Sequence, residues 1–344
     1  MIRFYSDYGE GAHPAILERL IETNLSQTPG YGEDAHCENA ARMIRELCAH
    51  ADAAVHFLVG GTQANLTVLA HALRPHQGVV CAESAHINVH ETGAIEATGH
   101  KVLALPARDG KLTAQALRET CAAHVADETR EHMVIPGAAF ISNSSELGTI
   151  YTLAELRALR AVCDEYGLLL YLDGARLGFA LAAAGNDLTL PQIAALCDAF
   201  YIGGTKQGAL FGEAVVITNP RLARDFRYSM KQRGAMLAKG RLLGIQFETL
   251  LSGGLYMDIS TRANALALRI RAAAVDAGYA LFSDSPTNQQ FLILPDDVIA
   301  RLSTKYAFAH IARVDESRSA VRFCTGWATR AEDVDALVRD LARE

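Results

Sequence analysis

Gly167-Leu168-Leu169-Leu170-Tyr171-Leu172-Asp173-Gly174-Ala175-Arg176 is the stretch on which the fold turns. Residues 168–172 are all apolar, of strand length, and lack the alternation of a half-exposed strand. Such a run is buried on both faces, the condition of a strand inside a parallel sheet covered by helices. Asp173 closes it. A lone carboxylate at a buried strand end is costly, so Asp173 requires a positive partner. Two are open from the residues alone: a charged nitrogen on a bound ligand, or Arg176 in a structural ion pair.

The flanking sequence repeats the pattern. Apolar runs predict strands at 53–59, 79–81, 101–105, 137–142, 199–202 and 214–217, and amphipathic spacing predicts helices at 62–73, 113–124 and 153–166. Strands alternating with helices make an α/β fold: a mostly parallel central sheet with helices on both faces. From 236 the texture changes to helical tracts at 236–251 and 259–277, interrupted at Ser252-Gly253-Gly254. Strands at 290–294 and 320–324 and a helix at 331–342 follow. Residues 1–245 are therefore expected to form a large ligand-binding domain, and 246–344 a smaller C-terminal α+β domain.

The chain has 344 residues, half of them apolar, which suffices for buried cores. Its net charge of −7, with no block of basic residues, argues against a nucleic-acid partner. No apolar run approaches the roughly 20 residues of a membrane span, and no signal core opens the sequence. Seven scattered cysteines without C-x-x-C spacing indicate neither a disulfide framework nor a zinc site. A cytoplasmic protein that contacts neither membrane nor nucleic acid is expected.

In a sheet of this kind ligands sit beyond the carboxyl ends of the strands. Besides Asp173, two such loops carry chemistry. In Val59-Gly60-Gly61-Thr62-Gln63-Ala64-Asn65, the glycines and the following helix start can cradle an anion, although a plain turn with Thr62 as the helix cap fits equally. In Tyr201-Ile202-Gly203-Gly204-Thr205-Lys206, a lysine follows a strand and a flexible Gly-Gly. Desolvated, it would be a nucleophile toward a carbonyl carbon; otherwise it is a surface lysine. Anion cradle, strand-end acid and strand-end lysine in this order form a set. A protonated pyridine nitrogen would then suit Asp173, which would keep the ring charged and able to take up electrons.

Asp7, Tyr31-Gly32-Glu33-Asp34, Gly61-Thr62-Gln63-Ala64-Asn65, His86, Asp173-Gly174-Ala175-Arg176 and Lys206 together resemble the low-specificity threonine aldolases of the β-eliminating lyase group, over nearly the whole chain. The resemblance implies the pyridoxal-phosphate-dependent transferase-like fold, that of aspartate aminotransferase (fold type I). It implies pyridoxal 5'-phosphate as cofactor, an amino acid as substrate, and a homodimer or homotetramer with active sites at the subunit interface. Lys206 would link the cofactor, and Asp173 would face the pyridine nitrogen. Gly61 and Thr62 would hold the phosphate, with Thr205 beside the lysine, and His86 would stack on the ring. The resemblance further implies Ser6, Arg176 and Arg322 on the substrate carboxylate, and Tyr31 reaching in from the neighbouring subunit. Arg233 and Lys239 lie where basic residues contact phosphate across the dimer. The residues alone also allow Arg322 to face solvent, Tyr31 to be a turn aromatic, and Lys239 to be surface helix charge. His86, His90 and Glu91 lie close, but no third ligand at defined spacing accompanies them, so no metal is expected.

Two stretches depart from the group. Where it usually carries Glu-Asn-Thr-His-Asn-Gly, this chain has Ser142-Asn143-Ser144-Ser145-Glu146-Leu147-Gly148, without the histidine that helps to handle the substrate hydroxyl. Where it has Ser-Lys-Gly-Leu-Gly, this chain has Thr205-Lys206-Gln207-Gly208-Ala209. The expected reaction is retro-aldol cleavage of β-hydroxy-α-amino acids such as L-threonine or L-allo-threonine to glycine and an aldehyde, with His86, Glu91 or a bound water as base. The alternative is β-elimination to pyruvate and ammonia, with Lys206 taking the α-proton. A non-catalytic cofactor-binding regulator stands behind both, and a nucleotide-binding oxidoreductase further back, since the dinucleotide glycine spacing is absent.

Overall fold

The computed structural model describes residues 1–342. Among them seven strands form one twisted sheet: β2 Ala54–Leu58, β3 Gln77–Ala82, β4 Val102–Leu105, β5 Ile135–Ser142, β6 Leu169–Asp173, β7 Ala199–Gly203 and β8 Glu213–Ile217, preceded in the chain by a short β1, Ile2–Arg3. The order across the sheet is β2-β8-β7-β6-β5-β3-β4. β3 to β7 run parallel, and β8 runs antiparallel to both its neighbours. The apolar run thus lies in the middle of the sheet, as its lack of alternation requires.

Helices cover both faces. Ala139, Ile141, Leu170, Leu172, Phe200 and Ile202 point into one core, and Ala138, Phe140, Tyr171, Ala199 and Tyr201 into the other, where the helix Gly61–Ala72 packs. The helix Leu153–Tyr166 shows why the crossovers start and stop where they do. Thr152 and Glu155 cap each other's amides reciprocally. Gly167, at φ +70°, ends the helix in the left-handed region and turns the chain into β6.

A four-stranded antiparallel sheet carries the C-terminal part: β9 Ala280–Ser283, β10 Gln289–Pro295, β12 Ala309–Arg313 and β13 Arg318–Cys324, in the order β12-β13-β10-β9. The helices Leu255–Asp276 and Ala331–Leu341 bury Leu266, Ile270, Val334 and Leu337 against Leu292 and Val321. Ile2–Arg3 pairs in parallel with β11, Tyr306–Ala307, so the amino-terminal segment runs alongside this sheet before it enters the larger one's territory.

Two expectations shift. The helix predicted at 236–251 begins only at Arg241, because the preceding residues are used in a loop contact: Tyr31 N donates to Ala238 O (3.3 Å), and Gly240 lies so close to Gly32 that a Cβ would come 2.4 Å from its nitrogen. The next helix starts at Leu255 instead of 259, after Gly254 in the left-handed region. Several helices escape the periodicity reading, the two longest being Pro14–Glu22 and Ala35–Leu47. Pro14 at the first helical position and Asp34 as a cap are the local signals that mark them. All seven cysteines are free and buried. No described helix is long and apolar enough to cross a membrane.

Candidate active site

The carboxyl ends of β5, β6 and β7 and the start of the helix Gly61–Ala72 enclose a cavity of about 300 Å³. Close strand exits build it. A Cβ on Gly174 would stand 1.7 Å from the Tyr201 carbonyl oxygen, and one on Gly203 would stand 2.4 Å from that of Ala175. Only glycines let β6 and β7 release their chains this near each other, which places Asp173 and Lys206 on one cavity. Gly174→Ala is expected to cost roughly 1–3 kcal/mol of stability through overpacking, seen as a lower urea midpoint.

Asp173 is 5% exposed and fully bonded. Its Oδ1 accepts from the Tyr201 hydroxyl (2.5 Å) and Ala175 N (2.9 Å), and its Oδ2 accepts from Asn65 Nδ2 (3.0 Å). Tyr171 Oη donates in turn to Asn65 Oδ1 (3.1 Å). The ion pair with Arg176 left open above does not form: Arg176 donates instead to Asp7, Nε to Oδ2 at 2.7 Å and Nη2 to Oδ1 at 3.0 Å, and Asn288 Nδ2 adds a third bond at 2.9 Å. The donors on Asp173 are all neutral, which leaves its negative charge available to a cation in the cavity.

Lys206 follows Gly203-Gly204 in a short turn, and because β8 returns directly beside β7, with Gly203 opposite Glu213, the turn stays at the carboxyl end of β7. The lysine lines the cavity and is no surface residue; its Nζ lies 5.9 Å from the centre of the Tyr8 ring. Burial lowers its pKa, and the nearby Arg176 lowers it further, against the opposing pull of Asp7, Asp173 and Glu213. A larger share of it is therefore neutral and nucleophilic near pH 7. Thr205 Oγ1 donates to Glu213 Oε1 (2.9 Å) and accepts from Gly212 N (3.0 Å), so its hydroxyl serves the turn itself. Burial pushes the pKa of Glu213 up.

The helix Gly61–Ala72 starts without a side-chain cap. Gly60 is its cap residue, so Thr62 is inside the first turn and the reading of Thr62 as the cap is corrected. Gly60, Gly61 and Thr62 all line the cavity, so unpaired amides at the positive end of a helix dipole face it. A side chain at position 61 would intrude, since its Cβ would meet the Tyr201 hydroxyl at 2.9 Å. His86 lines the same cavity, its Nδ1 2.8 Å from Glu91 Oε1 and its amide donating to Glu146 Oε1 at 2.9 Å.

Ser6, Tyr31, Arg233 and Arg322, like Lys239 and the candidate base Glu91, do not line the cavity within the single chain. Ser6 is half-buried beside Asp7 and Tyr8, and of these neighbours Tyr8 lines the cavity while Asp7 holds Arg176. Tyr31 is 47% exposed, with Lys231 Nζ 4.6 Å above its ring, on a second cavity of about 520 Å³ shared with His56 and Arg227. Arg233 turns its guanidinium to Gln232 (2.9 Å) while its carbonyl accepts from Gln63 Nε2 (3.1 Å). Arg322 donates to Gln289 Oε1 and to the Tyr5 carbonyl, both at 3.1 Å. Conversely, Tyr8 and Glu213 belong to the site although nothing local in the sequence marks them, and Asn65 and Tyr201, which stand in the two loops quoted above without a role of their own, bond Asp173.

This arrangement suits a planar ligand with an anionic end for the uncapped helix, a cationic end for Asp173, and a carbonyl carbon for the Lys206 amine. The model of the family described as beta-eliminating lyase matches residues 4–333. The low-specificity L-threonine aldolase of Pseudomonas aeruginosa is 31% identical, over 98% of this chain and 96% of that protein. The Leishmania major threonine aldolase structure is 44% identical at a TM-score of 0.96, covering 99% of this chain and 98% of that one. An aspartate aminotransferase of Thermus thermophilus, 14% identical at a TM-score of 0.72 and covering 100% and 91%, shares the fold.

Proposed function

The chain belongs to the β-eliminating lyase family, and from that premise we propose that it is a pyridoxal-phosphate-dependent aldolase cleaving L-threonine and L-allo-threonine to glycine and acetaldehyde. One observation carries the reading: an amine, a buried carboxylate with neutral donors, and an uncapped helix start share one cavity, in a chain similar to threonine aldolases from end to end.

When bound, pyridoxal phosphate supplies an aldehyde for amines and a charged ring that takes up the electron pair left at the α-carbon. The uncapped amides of Gly61 and Thr62 would hold its phosphate, Asp173 its pyridine nitrogen, and His86 one face of the ring. Lys206, its ammonium disfavoured by burial and by Arg176, would be the amine that holds its aldehyde. Arg176, its plane set by two bonds to Asp7, would turn its remaining N–H groups to the substrate carboxylate, with Arg322 of the four-stranded sheet and Ser6 of the amino-terminal segment, the strap, as further donors. Thr205 would keep the lysine turn tied to Glu213.

We further propose that residues 1–245 and 246–344 act as the cofactor-binding and closing units, and that two or four copies assemble. In such an assembly Tyr31 and Arg233 would serve a partner's cavity, a role that suits the exposure of Tyr31. Seven unpaired, buried thiols suit a reducing cytoplasm.

The test is direct. Purified protein loaded with cofactor should release glycine and acetaldehyde in equal amounts from L-threonine or L-allo-threonine. Pyruvate and ammonia from a β-substituted alanine, with no acetaldehyde from threonine, would replace this reading by β-elimination. Binding without any turnover would leave only the regulator.

A further inference from the structure

The end of the sheet is crowded with carboxylates, and most are committed to the protein itself. Asp7 gives both oxygens to Arg176. Those of Asp173 take Tyr201, Ala175 and Asn65. Glu213 holds Thr205 with one oxygen and the Gly204 amide with the other. Glu91 receives Asn65 Nδ2 (2.7 Å) and His86 on Oε1, and its side chain is 0% exposed, so no substrate can reach it.

Glu146 is different. Its Oε1 is clamped by the His86 amide (2.9 Å) and the Ser142 hydroxyl (2.8 Å), while Oε2 takes no hydrogen bond from another described residue, and the side chain lines the cavity with Lys206 and Asp173. Its backbone is held as well. Ser145 N donates to Thr149 O (2.8 Å), Gly148 N to Ser145 O (2.9 Å), and Ser283 Oγ to Leu147 O (2.7 Å), so the turn that presents Glu146 is tied at both ends and to the smaller sheet. A carboxylate with one oxygen fixed and the other open to a ligand cavity is built to accept something there.

We propose that Glu146 is the catalytic base that takes the proton of the substrate's β-hydroxyl. The inference rests on the aldolase reading above and names the group that the reading leaves unassigned. In the step, the hydroxyl O–H bond breaks and its proton passes to Glu146 Oε2. The O–H electron pair becomes the second carbon–oxygen bond of the departing aldehyde as the Cα–Cβ bond breaks, and that bond's electron pair stays with the α-carbon. Returned to the α-carbon, the proton completes glycine, so no further reactant is consumed. Burial and the facing Asp173 raise the pKa of Glu146, against the bonds from Ser142, from its own amide and from the His86 amide, which favours its taking up a proton. Arg176 beyond β6, Cys81 on β3 and Tyr151 after the turn also feel its charge, and the His86 and Lys206 side chains line the same cavity.

Glu146→Gln keeps an oxygen for the His86 and Ser142 donors and removes only the ability to take a proton. Its kcat for L-threonine should fall roughly 10²- to 10⁴-fold with KM little changed, and calorimetric glycine affinity should stay at the wild-type level. Glu146→Asp should recover part of the lost rate. Independently of turnover, infrared titration of the cofactor-free protein should show, beside the band of the buried Glu213, a second protonated-carboxyl band in wild type that Glu146→Gln lacks. The proposal is overturned if Glu146→Gln turns over within about threefold of wild type, if the Asp and Gln variants are equally slow, or if the two infrared titrations coincide. If wild type itself yields no glycine and aldehyde from any β-hydroxy amino acid, the aldolase reading fails first, and this inference with it.

Discussion

Lys206→Met should reduce threonine cleavage by roughly 10⁴-fold or more and yet leave the cofactor-free protein at least as stable as wild type. The loss follows from chemistry: methionine has no amine to attach a cofactor aldehyde, and the cavity offers no second lysine. Borohydride reduction followed by peptide mass analysis should label Lys206 in wild type and nothing in the variant.

The stability half follows from the sign of the shift. Burial and Arg176 lower the folded-state pKa of Lys206, so the folded state disfavours the proton that the unfolded lysine carries below its ordinary pKa of about 10.4. At pH 7 the buried ammonium therefore opposes folding, and the opposition fades only as pH rises toward that value. An apolar side chain of similar length removes it. Functional sites commonly hold such groups at the expense of stability. An earlier unfolding midpoint in Lys206→Met would show that the lysine is held by its acidic neighbours more than it is strained by its surroundings.

What was legible in the sequence was what neighbouring residues decide together. The run ending in Asp173 betrays a doubly buried strand, because five apolar side chains in succession have no polar face to offer water. Gly203-Gly204 before Lys206 betrays a sharp strand exit. Pairings across the chain were not legible. Arg176 stands three residues from Asp173 and yet binds Asp7, 169 positions away, because the strand end turns its guanidinium toward the amino-terminal strap. The bonding of Asp173 to Tyr201 and Asn65 likewise depends on the Tyr201 side chain of β7 pointing to the face of the sheet that the helix Gly61–Ala72 covers. Threonine is a good cap by type, which is why the residues alone leave Thr62 open as the cap beside the anion cradle, whereas Gly60 takes that place and an uncapped start keeps the amides open to the cavity. The chain 236–240 reads as helical by its apolar spacing, but it is drawn into contact with Gly30 and Tyr31.

Asp7→Asn is expected to cost about 3–5 kcal/mol at neutral pH, the range for removing one partner of a buried ion pair. Burial alone would raise the Asp7 pKa, but the Arg176 and Lys206 charges and the bonds from Arg176 and Asn288 outweigh it and hold the carboxyl well below the usual range. With its folded pKa depressed, Asp7 contributes stability that is fully present above its unfolded pKa of about 3.9 and is lost as pH falls through the folded value. The gap in urea midpoint between wild type and Asp7→Asn should therefore be constant from pH 8 to 5 and narrow only in strong acid. Two functional effects accompany it. Arg176, no longer held by two bonds to a carboxylate, loses its fixed plane, so KM for L-threonine should rise more than kcat falls. The uncompensated guanidinium also drives the Lys206 pKa lower still, so the absorbance of the loaded enzyme should titrate at a lower pH than in wild type. Equal midpoints at pH 7 would mean that solvent satisfies the Arg176 guanidinium without Asp7, and the amino-terminal segment would then be no more than a cover over the cavity.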